Sequence, residues 1–564
     1  METNNETLAL LGDEAVALGA VHAGLSAAYG YPGTPSTEIM EYLIARSGEA
    51  GGFTAKWCAN EKTAMEAALG ASFAGKRALV TMKHVGLNVA ADPFINSALL
   101  EINGGLVVAV ADDPGMHSSQ NEQDSRFYAA FAMIPCLEPQ NQQEAYDMSR
   151  EAFEVSENFR VPVLLRLVTR LSHARAAVKT AGEGTRKPQN PLSKMKDRTR
   201  WMLLPAHARR GYASLIEKQK ALAGWSSMHR VNRLETEGRD AAFTVITSGL
   251  GANYYEENLD DFVASRGGKN PVRLHIGAYP APEDLIRRAC EKAEKILVLE
   301  EGQPFIEERL RGLLPLSAAV AGKLDGTVIR AGELDPDNVR KSLSLPPMPG
   351  APDICPAGGG EAQIAIPALP GRPPQLCQGC PHGDSFDALN RAVAELDPTP
   401  NHSETAICSD IGCYSLGASP PYSAIESIVC MGASIGMARG AAEAGIKYPV
   451  AVIGDSTFLH SGITSLMDAA QADIPMTVII LDNSIVAMTG CQETIVPSEN
   501  LKGLVLGLGV KPEHLLELEA KPSMTEENRG RLKREMEYRG LSVLIFRREC
   551  LEAFRKKAGK GRTA

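Results

Sequence analysis

No apolar stretch in this 564-residue chain approaches the roughly 18 residues that a membrane-spanning helix needs. The positive region that opens a secretory signal is also missing, since the first lysine or arginine is Arg46. These two absences predict a cytoplasmic protein without a membrane span. Basic charge is in deficit as well: 58 Lys and Arg face 68 Asp and Glu, a net charge of -10, and the isoelectric point is near 5.7. Phosphate backbones require a basic stripe, so nucleic acid is excluded as the main partner, and small molecules and proteins remain. Compositional bias is absent too. With 44% hydrophobic and 22% charged residues and 52 Gly, the chain reads as globular rather than disordered or fibrous. Its length exceeds one core, and about 150 residues per domain suggests three or four domains. In a reducing compartment 11 cysteines do not make a disulfide framework, which directs attention to metal or redox duty where they cluster.

What is present is alternation of strands and helices. "RALVTMKH", "GGLVVAVADDPG" and "VPVLLRLVT" are short apolar runs ended by polar residues, and "EKTAMEAALGASFAG" has helical composition with a Gly stop. Continuous apolar strands separated by helices predict a parallel sheet covered on both faces, here spanning residues 1–185. Residues 186–238 turn basic and irregular and read as a linker or surface excursion. "FTVITSGLG", "VRLHIGAYP" and "KILVLEEG" predict a second α/β domain over 239–333. A Pro/Gly-rich connector follows over 334–374, then a third α/β domain over 375–552 and a basic tail over 553–564. The segments starting at Ala78 and Ala451 share one order: strand, polar loop, small-residue helix, turn, strand, acidic end. Two related α/β domains pairing around one site, or chance similarity of two parallel-sheet units, both account for it.

The run "VAVIGDSTFLHSGITSLMDAAQADIPMTVIILDN" holds two apolar strands, one stopping on Gly454-Asp455 and the other on Asp482-Asn483. Ligands of open α/β sheets bind at the carboxyl ends of the strands, where helix N-termini offer N–H groups to phosphate. Hard oxygen donors at two such ends suit Mg2+, which takes one or two protein ligands and fills its shell with waters and phosphate oxygens. Gly454-Asp455-Ser456, 25 residues and then Asp482-Asn483 resembles the thiamine diphosphate signature, with Ser456 in place of its third glycine. That resemblance implies cofactor contacts at Gly454, Asp455, Ser456 and Asn483, and Mg2+ held by Asp455, Asn483 and the backbone carbonyl of Ile485.

The likeness extends further. "YGYPGTPSTEI", "NEKTAMEAALGAS", "TMKHVGLNVAADP", "ADDPGMHSSQNEQDSR", "CQGCPH", "SDIGCYSLG" and the diphosphate signature stand in the order seen in the 2-oxoacid:ferredoxin oxidoreductase family, and most resemble its indolepyruvate-type large subunits. The resemblance covers about Gly12 to Cys550. It implies two thiamine diphosphate-binding-type parallel-sheet domains, of pyrimidine-binding type over 1–185 and diphosphate-binding type over 375–552, with a smaller transketolase C-terminal-like α/β domain over 239–333 between them. It further implies that Glu61 faces the aminopyrimidine ring of the cofactor and activates it. On composition alone Glu61 would be a surface helix residue. Thr34 matches the residue that meets the substrate carboxylate, although a Gly-Thr-Pro turn also places a capping Thr there. Met431, Gly432 and His382 match cofactor-contacting positions; "MGASIG" is equally suited to a tight helix contact. Lys83, His84 and His117 lie on polar loops near the same expected cleft.

Cys377 and Cys380 form a Cys-x-x-Cys pair that can reach one iron-sulfur cluster or zinc. By resemblance Cys413 and Cys550 complete the ligands of a [4Fe-4S] cluster, and Cys491 is an alternative ligand or a cleft thiol. A structural zinc or a set of buried thiols remains open on the residues alone. Large subunits of the family usually continue into a ferredoxin-like module, and here only the basic tail follows Cys550, so a separate ferredoxin-like or flavin carrier is expected to dock. A smaller oxidoreductase subunit and dimerised large subunits are also expected. The implied reaction is oxidative decarboxylation of an aryl 2-oxoacid to its acyl-coenzyme A, with electrons leaving through the cluster. A non-oxidative thiamine diphosphate decarboxylase or carboligase, and a non-catalytic scaffold of a redox complex, are the rival readings.

Overall fold

The computed structural model describes residues 6–48, 52–182, 186–193, 197–315, 317–348, 375–399, 402–428, 430–486, 490 and 492–560. Three parallel-type sheets are distributed over two compact units, residues 1–364 and 365–564.

In the first unit the larger sheet runs Thr54–Trp57, Ala27–Gly30, Ala78–Lys83, Leu106–Asp112, Val163–Val168, Cys136–Leu137 and Ala278–Tyr279. All neighbours are parallel except the last pair, which is antiparallel. The central strands Leu106–Asp112 and Val163–Val168 are buried at every residue, as strands covered on both faces must be. Helices Gly12–His22 and Gln142–Phe159 cover one face and approach so closely that a Cβ on Gly19 would stand 2.5 Å from the Tyr146 carbonyl oxygen. The second sheet runs Ala319–Ala321, Lys295–Leu299, Asp240–Ser248, Pro271–Ile276 and an antiparallel edge, Arg233–Glu235.

Charge fastens these two sheets together. Arg126 and Arg166, both fully buried, meet Asp112, Asp124 and Glu138 from the first sheet's layer, while Arg126 also pairs with Glu300 of the second at 3.0 Å. The two guanidiniums outweigh the burial that would raise the Asp124 carboxyl and hold it down to about 2. The basic stretch expected as an irregular linker is instead largely the 24-residue helix Pro205–Met228. Its charges conceal a sparse inner face of Leu215, Leu222 and Ser226, and Gly211 fits against the Leu99 carbonyl.

The second unit is one parallel sheet in the order Ser427–Ile428, Thr405–Ser409, Tyr448–Gly454, Met476–Asp482, Leu541–Arg547, Leu515–Glu519. Strand side chains alternate between its faces. Val450, Val452, Ile479 and Leu481 pack with helices Pro381–Leu396 and Thr525–Glu537, whereas Ala451, Ile453, Val478 and Ile480 pack with Ala433–Glu443, Ile463–Gln471 and Ser498–Gly507. The chain leaves Thr405–Ser409 toward one edge and Tyr448–Gly454 toward the other, so the strand order reverses between these two neighbours. A crevice forms at such a switch point, outside the carboxyl ends of the strands. The two segments singled out for their likeness are both strand–helix–strand units whose strands are parallel neighbours, Ala78–Lys83 with Leu106–Asp112 and Tyr448–Gly454 with Met476–Asp482.

Candidate active site

Asp455 and Asn483 stand at the carboxyl ends of adjacent strands, where Gly454 registers opposite Leu481. Both are buried. The Asp455 carboxylate accepts from the Ser456 N–H at 2.7 Å and, across the strands, from the Ser484 N–H at 2.8 Å. Ser484 makes that bridge by adopting a left-handed backbone, φ 65°. The Asn483 amide donates to His382 Nε2 at 3.2 Å, and its oxygen accepts from the Ile485 N–H at 3.2 Å. Burial pulls the His382 imidazole down to about 4, so the ring is neutral and able to accept.

Burial, and then the neighbouring Asp482 carboxylate, push Asp455 up to about 8. Asp482 is already committed to Arg547 Nε at 2.9 Å and Ser498 Oγ at 2.7 Å. Among the described residues Asp455 therefore has N–H partners and no Lys or Arg partner, and a divalent ion is the species that would let it ionise in place. One carboxylate and one amide oxygen match the few hard donors Mg2+ accepts from protein.

The switch-point neighbour supplies Asp410, which the sequence reading passed over. It follows Thr405–Ser409 and is fully buried, accepting from Ser434 Oγ at 2.6 Å and from the Tyr414 hydroxyl. Burial raises it to about 6. The sequence carries the signal: "TAICSD" ends an apolar strand on an acid, as the Asp455 strand does. The Tyr414 ring lies over Gly454, where a Cβ would come within 2.5 Å of it. Gly432, at φ 83°, precedes helix Ala433–Glu443 and packs on Ser461, so it is a tight contact at the helix start on the same sheet edge. A π-helical turn over Phe458–Gly462 follows Asp455 directly, a distortion frequent at functional sites.

Cys377, Cys380, Cys413 and Cys550 line one cavity of about 130 Å³ together with His382 and Asn483. Spacing did not require this convergence from three distant segments. The Asn483 carbonyl accepts from the Cys550 N–H at 3.3 Å, so the thiols sit directly behind the Asn483 turn. Burial raises the Cys380 thiol. Cys491 lies outside the described residues.

In the first unit, Thr34, Glu61, Lys83, His84 and His117 all lie in segments that follow the carboxyl ends of four neighbouring strands. Glu61 is buried, not surface-exposed, and opens helix Glu61–Phe73, whose N-cap Asn60 accepts from the Thr63 N–H. Its carboxyl lies against Gly86, where a Cβ would stand 2.5 Å from Oε1. Ser118 Oγ donates to the Thr34 carbonyl at 3.1 Å, and Lys83 Nζ donates to the Ser118 carbonyl at 3.2 Å. His84 and His117 turn elsewhere, His84 to the Asn121 carbonyl and His117 to Glu333.

A family model described as pyruvate flavodoxin/ferredoxin oxidoreductase, thiamine diphosphate-binding, matches residues 18–221, and one described as thiamine pyrophosphate enzyme, C-terminal TPP binding domain, matches 410–515. The chain is 37% identical over 560 residues to the indolepyruvate oxidoreductase subunit IorA of Methanothermobacter thermautotrophicus, covering 97% of this chain and 87% of that one. The chain belongs to the indolepyruvate oxidoreductase IorA family. Against the IorA of Archaeoglobus fulgidus the identity is 36%, with the same coverage. A 2-oxoglutarate synthase subunit KorA from Methanothermobacter marburgensis is 25% identical over 57% of the chain and 96% of its own. Among solved structures, 2-oxoglutarate:ferredoxin oxidoreductase from Magnetococcus marinus matches with a TM-score of 0.50 at 16% identity, covering 60% of this chain and 65% of that one, which supports the fold alone. The indolepyruvate oxidoreductase family is a thiamine diphosphate-dependent 2-oxoacid oxidoreductase family; the first matched region contains Thr34, Glu61 and Lys83, and the second contains Asp410, Asp455 and Asn483.

Proposed function

We propose that the chain is the catalytic large subunit of an enzyme that oxidatively decarboxylates an aryl 2-oxoacid, of the indolepyruvate or phenylpyruvate type, to the acyl-coenzyme A. The observation that carries the reading is the buried Asp455 bridged by Ser484 to the Asn483 strand end at the sheet's switch point. Thiamine diphosphate, when bound, supplies the electron sink for loss of carbon dioxide. Asp455, Asn483 and the Ile485 carbonyl hold Mg2+, with Gly454, Ser456, Met431 and Gly432 around the diphosphate. His382 keeps the Asn483 amide turned so that its oxygen is available to the metal. Glu61 holds a proton on the aminopyrimidine ring, and Thr34 meets the substrate.

The four thiols bind a [4Fe-4S] cluster in this reading. That all four line one cavity supports the reading. The Cys550–Asn483 backbone bond sets that cavity behind the metal turn and favours the oxidative reaction over a carboligase or a scaffold. A smaller subunit and a separate ferredoxin-like or flavin carrier complete the assembly, which works in the cytoplasm as a hetero-oligomer with paired large subunits. No helix among the described residues is long and apolar enough to cross a membrane. Anaerobic assay of the co-purified complex with indolepyruvate, phenylpyruvate, 2-oxoisovalerate and pyruvate, a viologen dye as acceptor, and iron and sulfide analysis tests this. Coenzyme A-dependent dye reduction with the aryl acids is expected. Iron-free protein that releases aldehyde without reducing dye would overturn it.

A further inference from the structure

Lys83 is a basic group in the first unit, at the strand ends near Thr34 and Glu61. It ends the strand Ala78–Lys83, and its stem lies on the Gly33–Thr34 loop, where a Cβ on Gly33 would come within 3.2 Å of its Cγ and Cδ. That loop is stiff: Ser36 Oγ donates to the Gly33 carbonyl at 2.9 Å, and the Gly33 N–H donates to Thr37 Oγ1 at 3.0 Å. On the far side, the Ser118 carbonyl receives the ammonium while Ser118 Oγ holds the Thr34 carbonyl. Ser118 is itself fixed by Asp113, which accepts its N–H at 2.8 Å, Ser119 Oγ at 2.7 Å and Thr169 Oγ1 at 2.6 Å. Asp113 thus spends its oxygens on the loop, and no carboxylate of the described residues lies within 4.0 Å of the ammonium.

The titratable groups facing Lys83 are Asp113, beyond the end of strand Leu106–Asp112, and Glu61, at the start of its helix. Neither closes an ion pair with it. An ammonium with one neutral acceptor, held next to the Gly33–Thr34 loop and near Glu61 at the carboxyl ends of these strands, is prepared for an arriving anion.

On the proposed function above, we infer that Lys83 is a substrate-binding residue whose ammonium receives the carboxylate of the 2-oxoacid beside Thr34. Burial brings the ammonium down to about 8, with Asp113 and Glu61 opposing that shift. The binding charge is therefore present below about pH 8 and lost above it.

The test compares the wild-type complex with Lys83→Met, which keeps the buried stem, and Lys83→Arg, which keeps the charge. Dye reduction with phenylpyruvate is followed from pH 6.5 to 9.5, alongside melting temperature and thiamine diphosphate affinity. Lys83→Met should raise the KM for the 2-oxoacid at least tenfold while kcat changes less than threefold, with the other two readouts unmoved. In the wild type kcat/KM should fall above about pH 8; Lys83→Arg should recover much of the affinity and lack that limb. A Lys83→Met KM within twofold of wild type, or an unchanged alkaline limb in Lys83→Arg, overturns the assignment while leaving the proposed function standing. So does a rise confined to the KM of coenzyme A. A wild-type complex inactive on every 2-oxoacid removes the proposed function and this assignment with it.

Discussion

Gly86→Ala places one methyl group against the Glu61 carboxyl. A Cβ there stands 2.5 Å from Glu61 Oε1, 2.7 Å from Cγ and 2.9 Å from Cδ, against an ordinary contact of 3.4 Å or more. The carboxyl must retreat by about 1 Å, and a displacement of that order in a positioned group costs roughly 100-fold in rate. The fold has reason to tolerate the change. Gly86 is inside helix His84–Val89, where alanine is favoured over glycine by about 0.5–1 kcal/mol, and the atoms that must move belong to the Glu61 side chain and not to backbone. The expected result is a variant that melts at or above the wild-type temperature, binds thiamine diphosphate, and reduces viologen about 100-fold more slowly. Exchange of the cofactor's C2 proton, followed by NMR in heavy water, should slow in parallel, as it should in Glu61→Gln, which leaves Gly86 in place. Wild-type exchange and turnover in Gly86→Ala would refute both the contact and the role of Glu61.

The buried charge layer should be unforgiving: Arg126→Met leaves Asp124, Glu138 and Glu300 without their shared guanidinium and should cost about 3–5 kcal/mol in urea unfolding, whereas Arg160→Met, which loses an exposed pair with Glu101, should cost no more than about 1 kcal/mol. Equal losses would contradict the burial argument. Burial raises Glu301 from 4.5 to about 7, with Lys323 opposing. Its protonated form is the one the fold prefers, so its contribution is intact below pH 4.5 and disappears as pH rises through 7, a loss of up to about 3 kcal/mol at 1.36 kcal/mol per unit. Glu301→Gln should therefore lose less stability than wild type between pH 5 and pH 8 in chemical denaturation; parallel pH profiles would refute the shift.

Much of this was legible from residue pattern because the strands are fully buried and so read as unbroken apolar runs: Leu106–Asp112, Val163–Val168, Tyr448–Gly454 and Met476–Asp482 all fall where those runs predicted. They stop at Asp112, Thr169, Asp455 and Asp482, whose side chains hydrogen-bond or pair with charge at the strand ends. The helix Pro205–Met228 was hidden because three inward side chains suffice to seat it, too few to overcome its charged composition. Asp410 was masked by the more conspicuous Cys413 beside it. Arg126 and Arg166 could not be assigned to a buried network, since that depends on two sheets meeting, which no local period encodes. The same holds for Lys83, whose strand-end position was clear but whose neighbours Gly33 and Ser118 come from separate loops.

The claim on which the rest stands is that Asp455 and Asn483 bind the cofactor through a divalent cation. Calorimetric titration of thiamine diphosphate into the cofactor-stripped complex, with Mg2+ and again with chelator, measures it directly. Saturable binding that requires Mg2+ and is abolished in Asp455→Ala, with the melting temperature of the stripped protein retained, is the predicted result. Binding that is indifferent to Mg2+, or that survives the loss of Asp455, would contradict the account.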